Sequence, residues 1–340
     1  MDIKNILEKL ISSKGVSGNE ALAANTAAEI LADYMPTEIQ SSGNVVGFLD
    51  GEGPIIMLEA HLDQIGLIVT DIDKSGFIRF AKCGGADMRV LPAADVTIVG
   101  KDGVEIDGIV ISTPPHLAKD EDKKKFKQIE DLAIDVGLCY EDALKVIRPG
   151  DRVTYKKAFG SLMNNRLYGT SFDDRAGVAA VLKAVDLLKG QKLNCKLCVL
   201  FAALEETTGG GAAVGAFAHQ PDESISVDVS FAESPGVPEH KTGKLGGGAM
   251  IGIAPTLDDE ISGKLIKIAR TKKIKYQTEV MGGQTSTNAD KISVAGRGAK
   301  TGLISIPMRN MHSAVEVLQL DDVEAVAQLL AEYVLSKGVM

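Results

Sequence analysis

Apolar residues at Ile3, Ile6, Leu7, Leu10 and Ile11 recur at i, i+3, i+4, i+7 and i+8, the spacing that lines one face of a helix. A glycine-bounded turn at 15–18 separates this helix from a second one, predicted over 20–34. The period then changes. Short apolar runs at 44–49, 55–60, 65–71 and 77–80, punctuated by Gly, Pro and Asp, read as strands. Strand signals continue at 96–99 and 108–111, and so many short strands with no helix between them imply a small β domain.

The stretch 114–150 is rich in charge, with a helix predicted near 141–146. After Asp173 helix and strand alternate. Helices are predicted at 176–188, 210–218, 260–271 and 323–335, with strands at 196–203, 225–231, 275–281 and 302–306. Such alternation predicts an α/β sheet with helices on both faces. The first helices and strands must join that sheet, so residues 1–65 and 162–340 are expected to form one domain and the β-rich residues 66–161 an insertion.

Composition narrows the partners. With 340 residues, 45% of them hydrophobic, and no apolar run of the roughly 18 residues a membrane-spanning helix needs, the expectation is a globular chain that does not span a membrane. The opening Met1-Asp2-Ile3-Lys4 lacks a basic region followed by an apolar stretch, which makes a cytoplasmic location the expectation. A net charge of −9 without a basic stripe interleaved with aromatics argues against nucleic acid. Lys123-Lys124-Lys125 reads as a solvated helix face, and Lys241, Lys244 and Arg309 as solvated surface rather than a pocket for acidic side chains. Of the cysteines Cys83, Cys139, Cys195 and Cys198, only the last two form a C-x-x-C pair; they fall within a predicted strand and are expected to be buried thiols.

Against that background a few polar residues stand out. Glu205-Glu206 follows the apolar run 197–204 and precedes Gly209-Gly210-Gly211, which places two acids at a strand's carboxyl end, where open α/β sheets bind ligands. His61 and Asp63 close another strand and point to the same side, so a metal could take the imidazole while Asp63 accepts its other ring N–H. Asp173-Asp174 precedes a predicted helix, where one aspartate is expected to serve as a cap. Asp228 lies inside an apolar strand, where a carboxylate is costly unless paired or bound to a cation. His312 follows a strand and a loop. Two imidazoles with several carboxylates are donors that zinc, cobalt or manganese accept, and a carboxylate bridging two ions would make a hydrolytic centre.

The motifs Ala60-His61-Leu62-Asp63-Gln64-Ile65-Gly66, Pro114-Pro115-His116, Arg148-Pro149-Gly150-Asp151, Phe172-Asp173-Asp174-Arg175-Ala176-Gly177, Glu205-Glu206 with Gly211-Ala212, Val227-Asp228-Val229 and Arg309-Asn310-Met311-His312-Ser313 resemble those of the M42 metallopeptidases in order and spacing. The resemblance covers essentially the whole chain. It implies a phosphorylase/hydrolase-like mixed-sheet domain carrying a PDZ-like β insertion, and an aminopeptidase using two divalent ions per subunit, zinc or cobalt, with manganese also accepted. Carried over residue by residue, it makes Asp173 the bridging ligand, His61 and Asp228 the remaining ligands of one ion, and Glu206 and His312 those of the other. Glu205 becomes the general base and acid, and Asp63 the residue that orients His61. Peptides are the implied substrates and a homo-oligomer, up to a tetrahedral dodecamer, the implied assembly. Gln64, Thr208, Glu233, Ser286 and Asn288 depart from the family pattern without removing any of these ligands. Two other readings compete. Paired acids also cleave glycosides, although a chain with no Trp and 4% aromatics offers little for sugar rings to stack on. The β insertion could instead capture peptides in a non-catalytic scaffold.

Overall fold

The computed structural model describes residues 1–114, 116–117 and 126–337; Pro115 and the 123–125 lysine run lie outside them. The amphipathic stripe at the start forms the helix Ile3–Ile11, which buries all five predicted positions. The Asp2 carboxylate accepts the Asn5 N–H and caps it. The second helix is Ala21–Ala32.

Nine strands make the spine of a large sheet, in the order Thr37–Ile39, Val45–Leu49, Lys196–Ala202, Ile55–His61, Glu223–Phe231, Lys300–Arg309, Glu316–Gln319, Arg166–Gly169 and Phe159–Leu162. Ala249–Ile253 branches from Lys300–Arg309 and carries Tyr276–Val280 on its other edge. The four strands from Lys196–Ala202 to Lys300–Arg309 run parallel, so their carboxyl ends converge on one edge.

Side chains alternate across this sheet. Ile56, Leu58, Leu197, Val199, Ile225 and Val227 pack with helices Phe172–Leu188 and Leu320–Leu335. Met57, Cys198 and Leu200 turn to the opposite face, where Ala212, Ala216 and Ile292 cover them. Helices therefore lie on both faces, as the alternating pattern predicts. Cys198 lies in the strand Lys196–Ala202 and Cys195 just ahead of it; both are fully buried, and burial pushes the Cys198 thiol up to about 12.

Residues 66–155 contain a closed barrel of six strands, in the order Gly66–Ile72, Ile78–Cys83, Leu132–Asp135, Glu105–Ser112, Asp95–Val99 and Arg152–Tyr155. All its strand pairs are antiparallel. It has its own core around Leu67, Ile78, Phe80, Ile98, Ile134 and Val153. Two of its strands, Leu132–Asp135 and Arg152–Tyr155, are four residues long and escape a periodicity reading. The pair Phe159–Leu162 and Arg166–Gly169 already belongs to the large sheet. Among the described residues no helix is long and apolar enough to cross a membrane.

Candidate metal centre

The converging strand ends bring the suspected side chains together. His61 is the last residue of Ile55–His61, Asp228 lies near the end of Glu223–Phe231, Glu205 and Glu206 follow Lys196–Ala202, and His312 follows Lys300–Arg309. Asp173 arrives from the start of Phe172–Leu188. All six line one cavity of about 610 Å³.

Asp173 is the hub. Its Oδ1 lies 3.1 Å from His61 Nε2, and its Oδ2 lies 3.3 Å from His312 Nε2. Asp228 Oδ1 is 3.9 Å from His61 Nε2, while Glu206 Oε2 is 3.5 Å from His312 Nε2. Two triads result, His61–Asp173–Asp228 and Asp173–Glu206–His312, each with ligand atoms within 4.8 Å of one another. Glu205 belongs to neither triad; its Oε2 sits 4.0 Å from His61 Nε2.

Neighbouring residues hold these groups in place. The Asp63 carboxylate accepts the backbone N–H of Glu205 at 2.9 Å and of Glu206 at 3.1 Å, so it aims both acids. Sequence reasoning expects that carboxylate to take the second ring nitrogen of His61, yet the closer partner of Nδ1 is the Asp63 backbone carbonyl, at 3.1 Å against 3.5 Å. The carboxylate stays beside that nitrogen while it also holds the glutamate loop. Asp174 is the helix cap, with its Oδ1 accepting the Gly177 N–H at 2.9 Å and its Oδ2 the His61 N–H at 3.3 Å. Buried Glu316, which sequence reasoning misses, accepts the N–H of Asp173 and that of His312, each at 3.2 Å. Its signal was an acid inside the apolar run Val315-Glu316-Val317-Leu318, the same kind of signal that exposes Asp228. Glu59 was missed as well; burial pushes it up to about 7, and it accepts the Asn288 amide at 2.7 Å. The Thr208 hydroxyl, another departure from the family pattern, accepts the Gly210 N–H at 3.1 Å and so keeps the glutamate loop tied.

Like charge crowds this site. Burial, followed by repulsion from Asp173, holds the Glu206 carboxyl well above its usual range, and burial with repulsion from Glu205 and Asp173 does the same to Asp228. Asp173 moves the other way. Burial alone would raise it, but hydrogen bonds from both imidazoles outweigh that and leave it below the usual carboxylate range. Burial also raises Glu205, with Asp173 and Asp63 adding to the effect. In addition, Glu206 Oε1 is buried and has no hydrogen-bond partner. An orphaned carboxylate oxygen beside several carboxylates is costly unless a cation meets it. The residues therefore fit a pair of divalent ions.

The barrel reaches into the centre. Gly85, just after its strand Ile78–Cys83, lies so close to His312 that an added Cβ would meet Nδ1 at 2.4 Å. Gly85→Ala is therefore expected to displace the imidazole and weaken binding at the Asp173–Glu206–His312 triad by roughly tenfold or more, with the other triad less affected. Metal titration followed by elemental analysis checks this; unchanged stoichiometry and affinity would refute it.

Comparisons with known proteins point the same way. The family described as M42 glutamyl aminopeptidase matches residues 43–329. A lysyl aminopeptidase of Pyrococcus furiosus is 30% identical over 331 residues, covering 95% of this chain and 94% of the relative. An aminopeptidase from the archaeon Desulfurococcus kamchatkensis superposes with a TM-score of 0.92 at 32% identity, covering 98% of this chain and 94% of the other. The TET1 peptidase of Pyrococcus horikoshii, described as able to assemble into a tetrahedron or a large octahedral shell, superposes with a TM-score of 0.87 at 31% identity, covering 98% and 99%.

Proposed function

The chain belongs to the M42 glutamyl aminopeptidase family, and from that premise we propose that it removes N-terminal residues from peptides at a dinuclear centre with Glu205 as general base. One observation carries the proposal: the two oxygens of Asp173 face different imidazoles, each completed by a further acid. His61, Asp173 and Asp228 would hold one ion, and Asp173, Glu206 and His312 the other. Zinc, cobalt and manganese all accept this donor set. Bound there, the pair supplies Lewis-acid polarisation of the peptide carbonyl and lowers the pKa of water toward neutrality.

The chain's own residues handle the proton. Glu205 stands beside the triads without belonging to either, and burial raises its proton affinity above that of an ordinary carboxylate. It takes a proton from the attacking water and passes it to the departing amine. Asp63 holds the backbone of Glu205 and Glu206, fixing the base relative to the ligands. The surrounding carboxylates also attract a free α-ammonium group, which would confine cleavage to the first residue.

Removing metal tests the reading. After exhaustive chelation, hydrolysis of aminoacyl arylamides is expected to fall by roughly 10³-fold and to return on addition of zinc, cobalt or manganese. Activity that survives complete metal removal would overturn it.

Two further assignments belong to the same proposal. Within the segment 66–161 the barrel-forming part is proposed as the inserted unit, whereas residues 159–161, which open the strand Phe159–Leu162 of the large sheet, go with the catalytic part. The chain is also proposed to form a homo-oligomer, up to a tetrahedral dodecamer, on the strength of its likeness to a self-assembling peptidase. Light scattering should then give a mass well above the 35.9 kDa of one chain, and a monomer at micromolar concentration would contradict this.

A further inference from the structure

The cavity that holds the metal-ligating side chains extends sideways to Glu279. This glutamate sits on Tyr276–Val280, a strand of the branch beside the parallel core. Its carboxylate accepts the Ser230 hydroxyl through one oxygen and the Ser305 hydroxyl, at 3.0 Å, through the other. Ser230 lies two residues beyond Asp228 on the same strand, and Ser305 is the register partner of Asp228. Both serines therefore project from the Asp228 side of the sheet, and Glu279 is held laterally next to the metal centre.

Glu279 lacks a countercharge. Burial raises its carboxyl and the two serines partly offset this, but among the described residues no cation contributes. Two cations on neighbouring strands or loops are engaged with Glu233: Arg309 Nε donates to its carbonyl at 2.6 Å, and Lys244 Nζ lies 3.9 Å from its carboxylate. Neither lines the cavity. Met281 and Leu303 do, and they give it an apolar wall next to the acid.

An acid held by two hydroxyls beside an apolar wall matches a side chain with an aliphatic stem and a cationic head. We propose that Glu279 selects substrates whose N-terminal residue is lysine or arginine: its carboxylate receives the cationic head, while Met281 and Leu303 pack against the stem. This inference rests on the aminopeptidase reading above and names the substrate class of that site.

The test uses metal-loaded protein with the p-nitroanilides of lysine, arginine, leucine and glutamate. Wild type should show kcat/KM for lysine and arginine roughly tenfold or more above that for leucine and glutamate. Glu279→Gln keeps the shape and can still accept from one serine, yet the lysine-to-leucine ratio of kcat/KM should fall by roughly 10- to 100-fold. Calorimetric titration with L-lysinol and L-leucinol, which have no scissile bond, should show a comparable fall in the affinity ratio without turnover. A wild type that prefers leucine or glutamate, or a variant that loses activity on all four substrates in proportion, overturns the assignment. Loaded protein that hydrolyses none of the four sinks the aminopeptidase reading instead, and the lysinol titration then decides separately whether Glu279 receives a cation.

Discussion

Glu205→Gln is expected to retain two metal ions per chain while kcat falls by roughly 10³-fold, within the range attributed to a lost general base. The geometry separates this residue from its neighbour. Glu206 completes a triad with Asp173 and His312, and one of its oxygens is buried without a partner. Glu205 is outside both triads, 4.0 Å from the His61 ring. Gln keeps the shape of Glu and its backbone bond to Asp63, but it cannot accept a proton from water. Glu206→Ala should behave differently, releasing metal from one triad before activity is considered. Elemental analysis and turnover on an aminoacyl arylamide, measured for both variants, distinguish the two roles. Equal metal loss in both variants, or a Glu205→Gln enzyme with near-normal kcat, would refute the division of labour.

The residues that carry charge where apolar packing is expected were legible in the chain. Asp228 inside an apolar strand and Glu205-Glu206 at a strand end declare themselves because burying an unpaired acid is costly. Less visible were the groups that act through the backbone. Glu316 and Asp63 hold the N–H groups of Asp173, His312 and Glu205 from elements far apart in sequence, and no local period encodes such a contact. Asp63 shows the limit of local reasoning. Its spacing from His61 accounts for a carboxylate 3.5 Å from the ring, but not for that carboxylate also holding the glutamate loop, a partner 142 residues away that only the sheet order brings near. The barrel was legible as clustered strands, whereas its closure was not, because four-residue strands such as Arg152–Tyr155 carry too few alternations to register. Glu279 escaped for another reason: it follows Gln277 and Thr278, so no apolar run marks it as an acid out of place, and only the sheet order brings Ser230 and Ser305 to its carboxylate.

Asp173→Asn is expected to have the broadest consequence, because one carboxylate serves both triads. Its two oxygens lie 3.1 Å and 3.3 Å from the two imidazoles, and the amide replaces one oxygen by an N–H donor and removes the negative charge. Metal content should drop from two ions to one or fewer, and turnover by roughly 10³-fold. The thermal stabilisation that zinc gives wild type, worth about 2.7 kcal/mol at one hundred times Kd for a single site, should largely disappear. The pH dependence follows from the same acids. In metal-free protein, burial and mutual repulsion raise the folded-state proton affinity of Glu206 and Asp228. Their contribution to stability is therefore fully present below the unfolded carboxylate range near about pH 4, and is lost as pH rises through the higher folded values. Cations take over the role of those protons, so the zinc-induced rise in Tm should be larger at pH 8 than at pH 5 in wild type. In Asp173→Asn it should be small at both pH values. A variant that still binds two ions and gains the wild-type Tm increment at pH 8 would show that Asp173 does not link the two halves of the centre.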